Sequence, residues 1–137
     1  MKLLLNFSEL TRYIADHYGK ALVFSKVADN ELCVAYEQNI LIRTIHIPVN
    51  IRIDEVKPAS ILLTYKGSFG LDMIISGALV FIKSKLPELS EVIVPADGNR
   101  LNVELSQLQQ AKTMLEKVAL EKISVHDDGI GIEVRIK

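Results

Sequence analysis

The stretch from Leu71 to Leu86 constrains this chain more than any other. It reads as a helix stopped by Pro87, with Lys83 and Lys85 in its last turn. At 100° per residue, Leu71, Ile74, Ile75, Ala78, Leu79, Ile82 and Leu86 form one broad apolar stripe. Asp72, Ser76 and Lys83 share a narrow polar arc, and Met73 and Val80 lie beyond it. A helix apolar nearly all round needs cover nearly all round. One sheet face cannot supply it.

A second surplus precedes that helix. Three strands are predicted at about 20–27, 31–37 and 40–47, with turns at Asp29-Asn30 and Gln38-Asn39. Two-residue loops would pair Val27 with Leu32, Phe24 with Ala35, Tyr36 with Leu41 and Cys33 with Thr44. One face then gathers Val23, Val27, Leu32, Val34, Tyr36, Leu41 and Ile45. The other gathers Leu22, Phe24, Cys33, Ala35, Ile40, Ile42, Thr44 and His46. Neither is polar, so the sheet is expected to be covered on both sides.

The remaining elements carry ordinary punctuation. Asn6 can cap a helix over 6–18, with Glu9 three residues on and Gly19 as its stop. Past Pro48, Val49, Ile51 and Ile53 alternate with Asn50, Arg52 and Asp54, and a further strand follows near 60–66. Val92 to Val94 and Leu101 to Leu105 flank a turn at Asp97-Gly98-Asn99. Ser106 and Gln109 form a capping-box pattern for an amphipathic helix over 106–118, and strands near 120–126 and 130–136 close the chain. The expected fold is one α+β domain over 1–137: a mainly antiparallel, strongly curved sheet around the 71–86 helix, with the 6–18 and 106–118 helices on its other face.

Composition limits the function classes. Leu, Ile and Val supply 46 of 137 residues, and 16 basic residues nearly cancel 17 acidic ones. With few aromatics and no basic stripe, nucleic acid is not an expected partner. Met1 to Asn6 has an apolar run of three residues, too short for a signal-peptide core. No segment reaches the ~20 apolar residues of a membrane span. Cys33 is alone, so no intrachain disulfide is expected, and the reading is cytoplasmic.

Asp127-Asp128-Gly129-Ile130-Gly131-Ile132 resembles the Asp-x-Gly-x-Gly nucleotide box of the ATPases related to histidine kinases and gyrase. In that family the Asp reads the adenine amino group. Here five residues follow Ile132, and no Asn/Glu box lies on an upstream helix. A hairpin accounts for the string better: an Asp128-Gly129 turn would pair Val125 with Ile132 and set Gly131 opposite His126. Gly67-Ser68-Phe69-Gly70 reads as a strand-to-helix turn, since it lacks the Lys-Ser/Thr of a phosphate loop. His17, His46 and His126 fall into no ligand spacing, so no metal, cofactor or catalytic residue is assigned.

The two apolar surpluses point to a non-enzymatic binding or assembly module that self-associates. The alternative is a carrier of a small apolar, lipid-like ligand lined by Phe24, Ile42, His46, Met73, Ile74, Val80 and Phe81. A small enzyme using His46 with Cys33, or His126 with Asp127, ranks last.

Overall fold

The structure, a computed structural model, describes residues 1–67 and 71–137; the side chains of Gln38, Ile40, Leu71, Asp72 and Ile74 are not among those described. The Ser68-Phe69-Gly70 part of the expected strand-to-helix turn therefore lies outside the described residues. In chain order the elements are β1 Lys2–Asn6, α1 Phe7–Tyr18, β2 Ala21–Ala28, β3 Glu31–Ile40, β4 Arg43–Val56, β5 Ser60–Gly67, α2 Leu71–Lys85, β6 Ile93–Ala96, β7 Arg100–Glu104, α3 Gln109–Leu115, β8 Val118–His126 and β9 Gly129–Ile136. All the strands pair antiparallel, in a six-stranded sheet ordered β2-β3-β4-β5-β7-β6 and a three-stranded sheet ordered β1-β9-β8. The α+β class is thus as expected.

Helix α1 starts and stops as its sequence asks. The Asn6 carboxamide oxygen accepts hydrogen bonds from the amides of Ser8 (2.9 Å) and Glu9 (3.3 Å). Gly19 takes the left-handed conformation and returns its N–H to the Ala15 carbonyl. Helix α3 is shorter than the capping-box pattern suggests. Ser106 sits in a 3-10 turn over Leu105–Gln107, and Leu108 begins the helix without a side-chain cap. Val118 belongs instead to β8, where pairing with Ile136 claims it.

The register of the large sheet departs from the expected one at two places. Beyond the Asp29-Asn30 turn, β2 bulges between Lys26 and Ala28, so Phe24 pairs with Val34 rather than Ala35. One extra residue flips every side chain beyond it. Leu22 and Phe24 therefore join Leu32, Val34 and Tyr36 on one apolar face. That face continues through Ile47, Val49, Ile51 and Ile53 of β4 into Leu63 and Leu101. The second departure is the next turn, which falls at Leu41-Ile42 instead of Gln38-Asn39, so Cys33 stands opposite Asn50 rather than Thr44. The other face then carries Cys33, Asn50, Arg52, Thr64 and Arg100. Two apolar faces were expected; the bulge and the later turn leave one apolar and one largely polar.

Pro48 does not break β4. Among the described residues pairing with β5 begins at Val49, so the proline lies just beyond the doubly paired part of the strand, where a missing N–H is tolerated.

The two sheets meet through a small core. Phe7, Leu32, Ile53 and Val125 are buried together, with Phe24, Ile51, Leu63, Ile123 and Ile130 packed around them. The Phe7 and Phe24 rings stack at 6.0 Å. The amide of Val125 donates to the Asp29 carbonyl (2.8 Å), and that of Leu120 to the Pro58 carbonyl (2.9 Å), tying β8 to the large sheet.

The glycine-containing hairpin is structural. Its turn is Asp127-Asp128, so Val125 pairs with Ile130 and Ser124 with Gly131, two residues from the expected register but on the same faces. Strand β1, absent from the sequence reading, pairs along β9 and sets Asn6 opposite Gly129. A Cβ on Gly129 would overlap the Leu5 carbonyl, which is backbone and cannot move away. A Cβ on Gly131 would lie 2.6 Å from the His126 ring, which can swing aside. Gly129→Ala is therefore expected to cost about 1–3 kcal/mol of stability in denaturant unfolding, and Gly131→Ala clearly less. Equal losses would contradict this packing.

Candidate interaction surface

Helix α2 forms where the sequence places it, but its environment differs from the one expected. It lies against the Pro87–Leu89 turn that follows it, and Phe81 meets Tyr18 edge-on at 6.5 Å with the Lys20 ammonium 5.3 Å from the Phe81 ring centre. Ile75, Leu79 and Ile82 are half-buried. Met73 and Val80 are 81% and 67% exposed. Among the described side chains of α2, the apolar composition that asks for cover all round is met on one side only.

The residues singled out as lining a ligand site fall into three places. Phe24 belongs to the inter-sheet core. Ile42 stands wholly in water at the tip of the β3–β4 hairpin, beside Leu41. His46, lower on the same hairpin, is exposed and has its Nδ1 3.6 Å from a Glu37 carboxylate oxygen. Met73, Val80 and Phe81 share α2, and the side chain of Ile74 lies outside those described. Only the α2 residues are neighbours by virtue of one element.

The pairs considered for catalysis are also placed. Glu37 stands opposite His46, and Asn50 opposite Cys33, so the histidine and the thiol are offset by four positions, roughly 13 Å along the strand. His126 Nε2 lies 3.2 Å from the Ser124 hydroxyl. Among the described residues no group of three His, Cys, Asp or Glu side chains could hold a metal ion. A shallow concavity of about 450 Å³ opens beside the N-terminus of α1, lined by Asn6, Ser8, Thr11, Asp127 and Asp128 with Phe7, Val23 and Phe24. The amide of Phe7 there donates to the Asp128 carbonyl at 2.8 Å, so the hairpin turn already holds the first turn of α1.

The polar face of the large sheet has its own organisation, which the sequence reading missed. Asp54, the extra residue at a bulge in β4, accepts hydrogen bonds from Arg52 Nε (2.7 Å) and the Thr64 hydroxyl. Desolvation pushes its carboxyl upward, but the hydrogen bonds from Thr64 and Arg52 and the charges of Arg52 and Arg100 outweigh that and hold it below its ordinary value of 3.8. Alternation of Arg52 and Asp54 between Ile51 and Ile53 was the available signal; the bulge that turns them toward each other was not.

Comparison with known protein families, curated proteins and solved structures gave no match. No helix among the described residues is long and apolar enough to cross a membrane.

The surface is large for the mass. A folded monomer of 15.3 kDa is expected to expose roughly 7,100 Å². This chain exposes 9051 Å².

Asp54 supplies a pH signature for the sheet. Its folded pKa is depressed, so its stabilisation is present above 3.8 and is lost as pH falls through the folded value. Thermal unfolding of the wild type and Asp54→Asn should differ most near neutral pH and converge in acid. A gap that widens on acidification would contradict the assigned sign.

Proposed function

We propose that this protein is a non-enzymatic assembly module that works by binding further copies of itself. The observation that carries the reading is the surplus of about 1,900 Å² of surface over a monomer of this mass. Permanent homodimers bury about 1,000–2,500 Å² per subunit, so the surplus is the size of an interface. Its chemistry supports the same reading: Met73 and Val80 on α2 and Leu41 and Ile42 on the β3–β4 hairpin are all large, apolar and exposed. In the assembled state α2 is packed all round by a curved, composite sheet, as its composition demands, and the compartment is the cytoplasm.

An apolar-ligand carrier would need a dry lining. The concavity beside α1 is open to water, mixes Phe7, Val23 and Phe24 with Asn6, Ser8, Thr11, Asp127 and Asp128, and takes in only Phe24 of the residues named for that lining, which supports assembly over lipid carriage.

Val80→Asp tests this directly. Val80 already faces water in the single chain, so the variant is expected to keep its far-UV circular dichroism while losing self-association in size-exclusion chromatography with light scattering. A variant that assembles like the wild type would remove α2 from the interface.

A further inference from the structure

The β3–β4 hairpin runs past both of its neighbours. Pairing with β2 ends at Glu37, whose partner across the hairpin is His46, and the described pairing with β5 ends at Val49, so residues 38–45 form a two-stranded ribbon with no strand on either side among the described residues. Its three free rungs span roughly 10 Å. Thr44 and Asn39, opposite each other, are joined by a 2.8 Å hydrogen bond from the Thr44 hydroxyl to the Asn39 carboxamide oxygen.

The tip of this ribbon is made of the wrong residues for a turn. Ile40 pairs with Arg43, so Leu41 and Ile42 are the two loop residues. Leu41 has φ 57°, and it is the only non-glycine residue with positive φ among those described. Positive φ at the first loop residue alone is the type II′ pattern, in which glycine is favoured at that position. Leucine there is strained by its Cβ. Leu41 and Ile42 are also 98% and 101% exposed, which is the worst environment for two aliphatic side chains. Neither local turn chemistry nor the isolated chain's own packing accounts for this pair. Cover from another molecule would account for their exposure.

We infer that the 38–45 ribbon is an exchange arm, whose Leu41–Ile42 tip packs onto a second copy of this chain. The inference rests on the self-association reading and locates its contact. Reciprocal arms make an isologous, closed interface, since each copy receives the tip of the same copy to which it gives its own. The surplus of about 1,900 Å² per chain is enough for a permanent dimer in which the arms and the exposed side of α2 are both covered. Charge argues against a lipid surface as the occupant. Residues 38–45 carry one permanent cation, Arg43, and the whole chain has a formal charge of −1, so nothing draws the tip toward anionic headgroups.

The test replaces the tip with residues the turn prefers. Leu41→Gly with Ile42→Ser relieves the strained φ and removes both apolar side chains, so the hairpin itself has no reason to fail. Sedimentation velocity across a dilution series reads assembly, and far-UV circular dichroism reads the fold. The expected result is a folded variant whose self-association is at least about tenfold weaker than that of the wild type. If the variant assembles as the wild type does, the arm is not the contact, although self-association stands. A wild type that is monomeric throughout the series removes both the arm and the reading beneath it. Should the double variant not fold, Ile42→Ser alone, which leaves the Leu41 backbone untouched, is judged by the same two results.

Discussion

Everything in this fold depends on how much of one apolar sheet face can be covered. The six-stranded sheet offers a continuous band from Phe24 through Leu32, Val34, Ile51 and Ile53 to Leu63 and Leu101. Its cover is the three-stranded sheet, through Ile123, Val125 and Ile130, together with Phe7 at the start of α1. Three strands cannot cover six. The Phe7–Leu32–Ile53–Val125 seam therefore holds the two sheets together, while apolar surface is left at the margins. The exposed side of α2 and the hairpin tip add further uncovered apolar surface to it.

Most of the elements were legible in the sequence because their signals are local. Asn6 and Gly19 bracket α1, Pro87 closes the segment that contains α2, and alternation marks the Val49–Asp54 stretch of β4. What was not legible follows from pairing. The bulge at Val27 has no composition of its own, yet it decides whether Phe24 faces the core or the solvent. Gln38-Asn39 has turn composition and lies in a strand, whereas Leu41-Ile42 has none and forms the turn. The long ladder between β3 and β4 outweighs local preference there. Strand β1 escaped notice because five residues starting at Lys2 hold no alternation, and only the partner strand β9 gives them a structure.

The candidate site was legible in part and for one reason. The demand of α2 for cover could be read from its wheel, and Met73 and Val80 are where that demand goes unmet within one chain. Ile42 was singled out with them, but as a pocket-lining residue of a sheet face rather than as the tip of a projecting arm. Phe24 was placed on the wrong face by the same missed bulge. The Asp127 to Ile132 string shows the reverse case, in which a motif-like pattern has a steric origin: Gly129 lets β1 approach, and Gly131 makes room for the His126 ring.

Self-association is the claim on which the rest turns, and native mass spectrometry of freshly purified protein, without delipidation, measures it most directly. The expected spectrum shows a dimer or a higher multiple of 15.3 kDa with no additional mass. A monomer carrying a few hundred daltons of bound ligand (a mass of lipid scale) would contradict assembly in favour of carriage. A bare monomer would contradict both, and the exposed apolar residues of α2 and the arm would then have no partner in this protein.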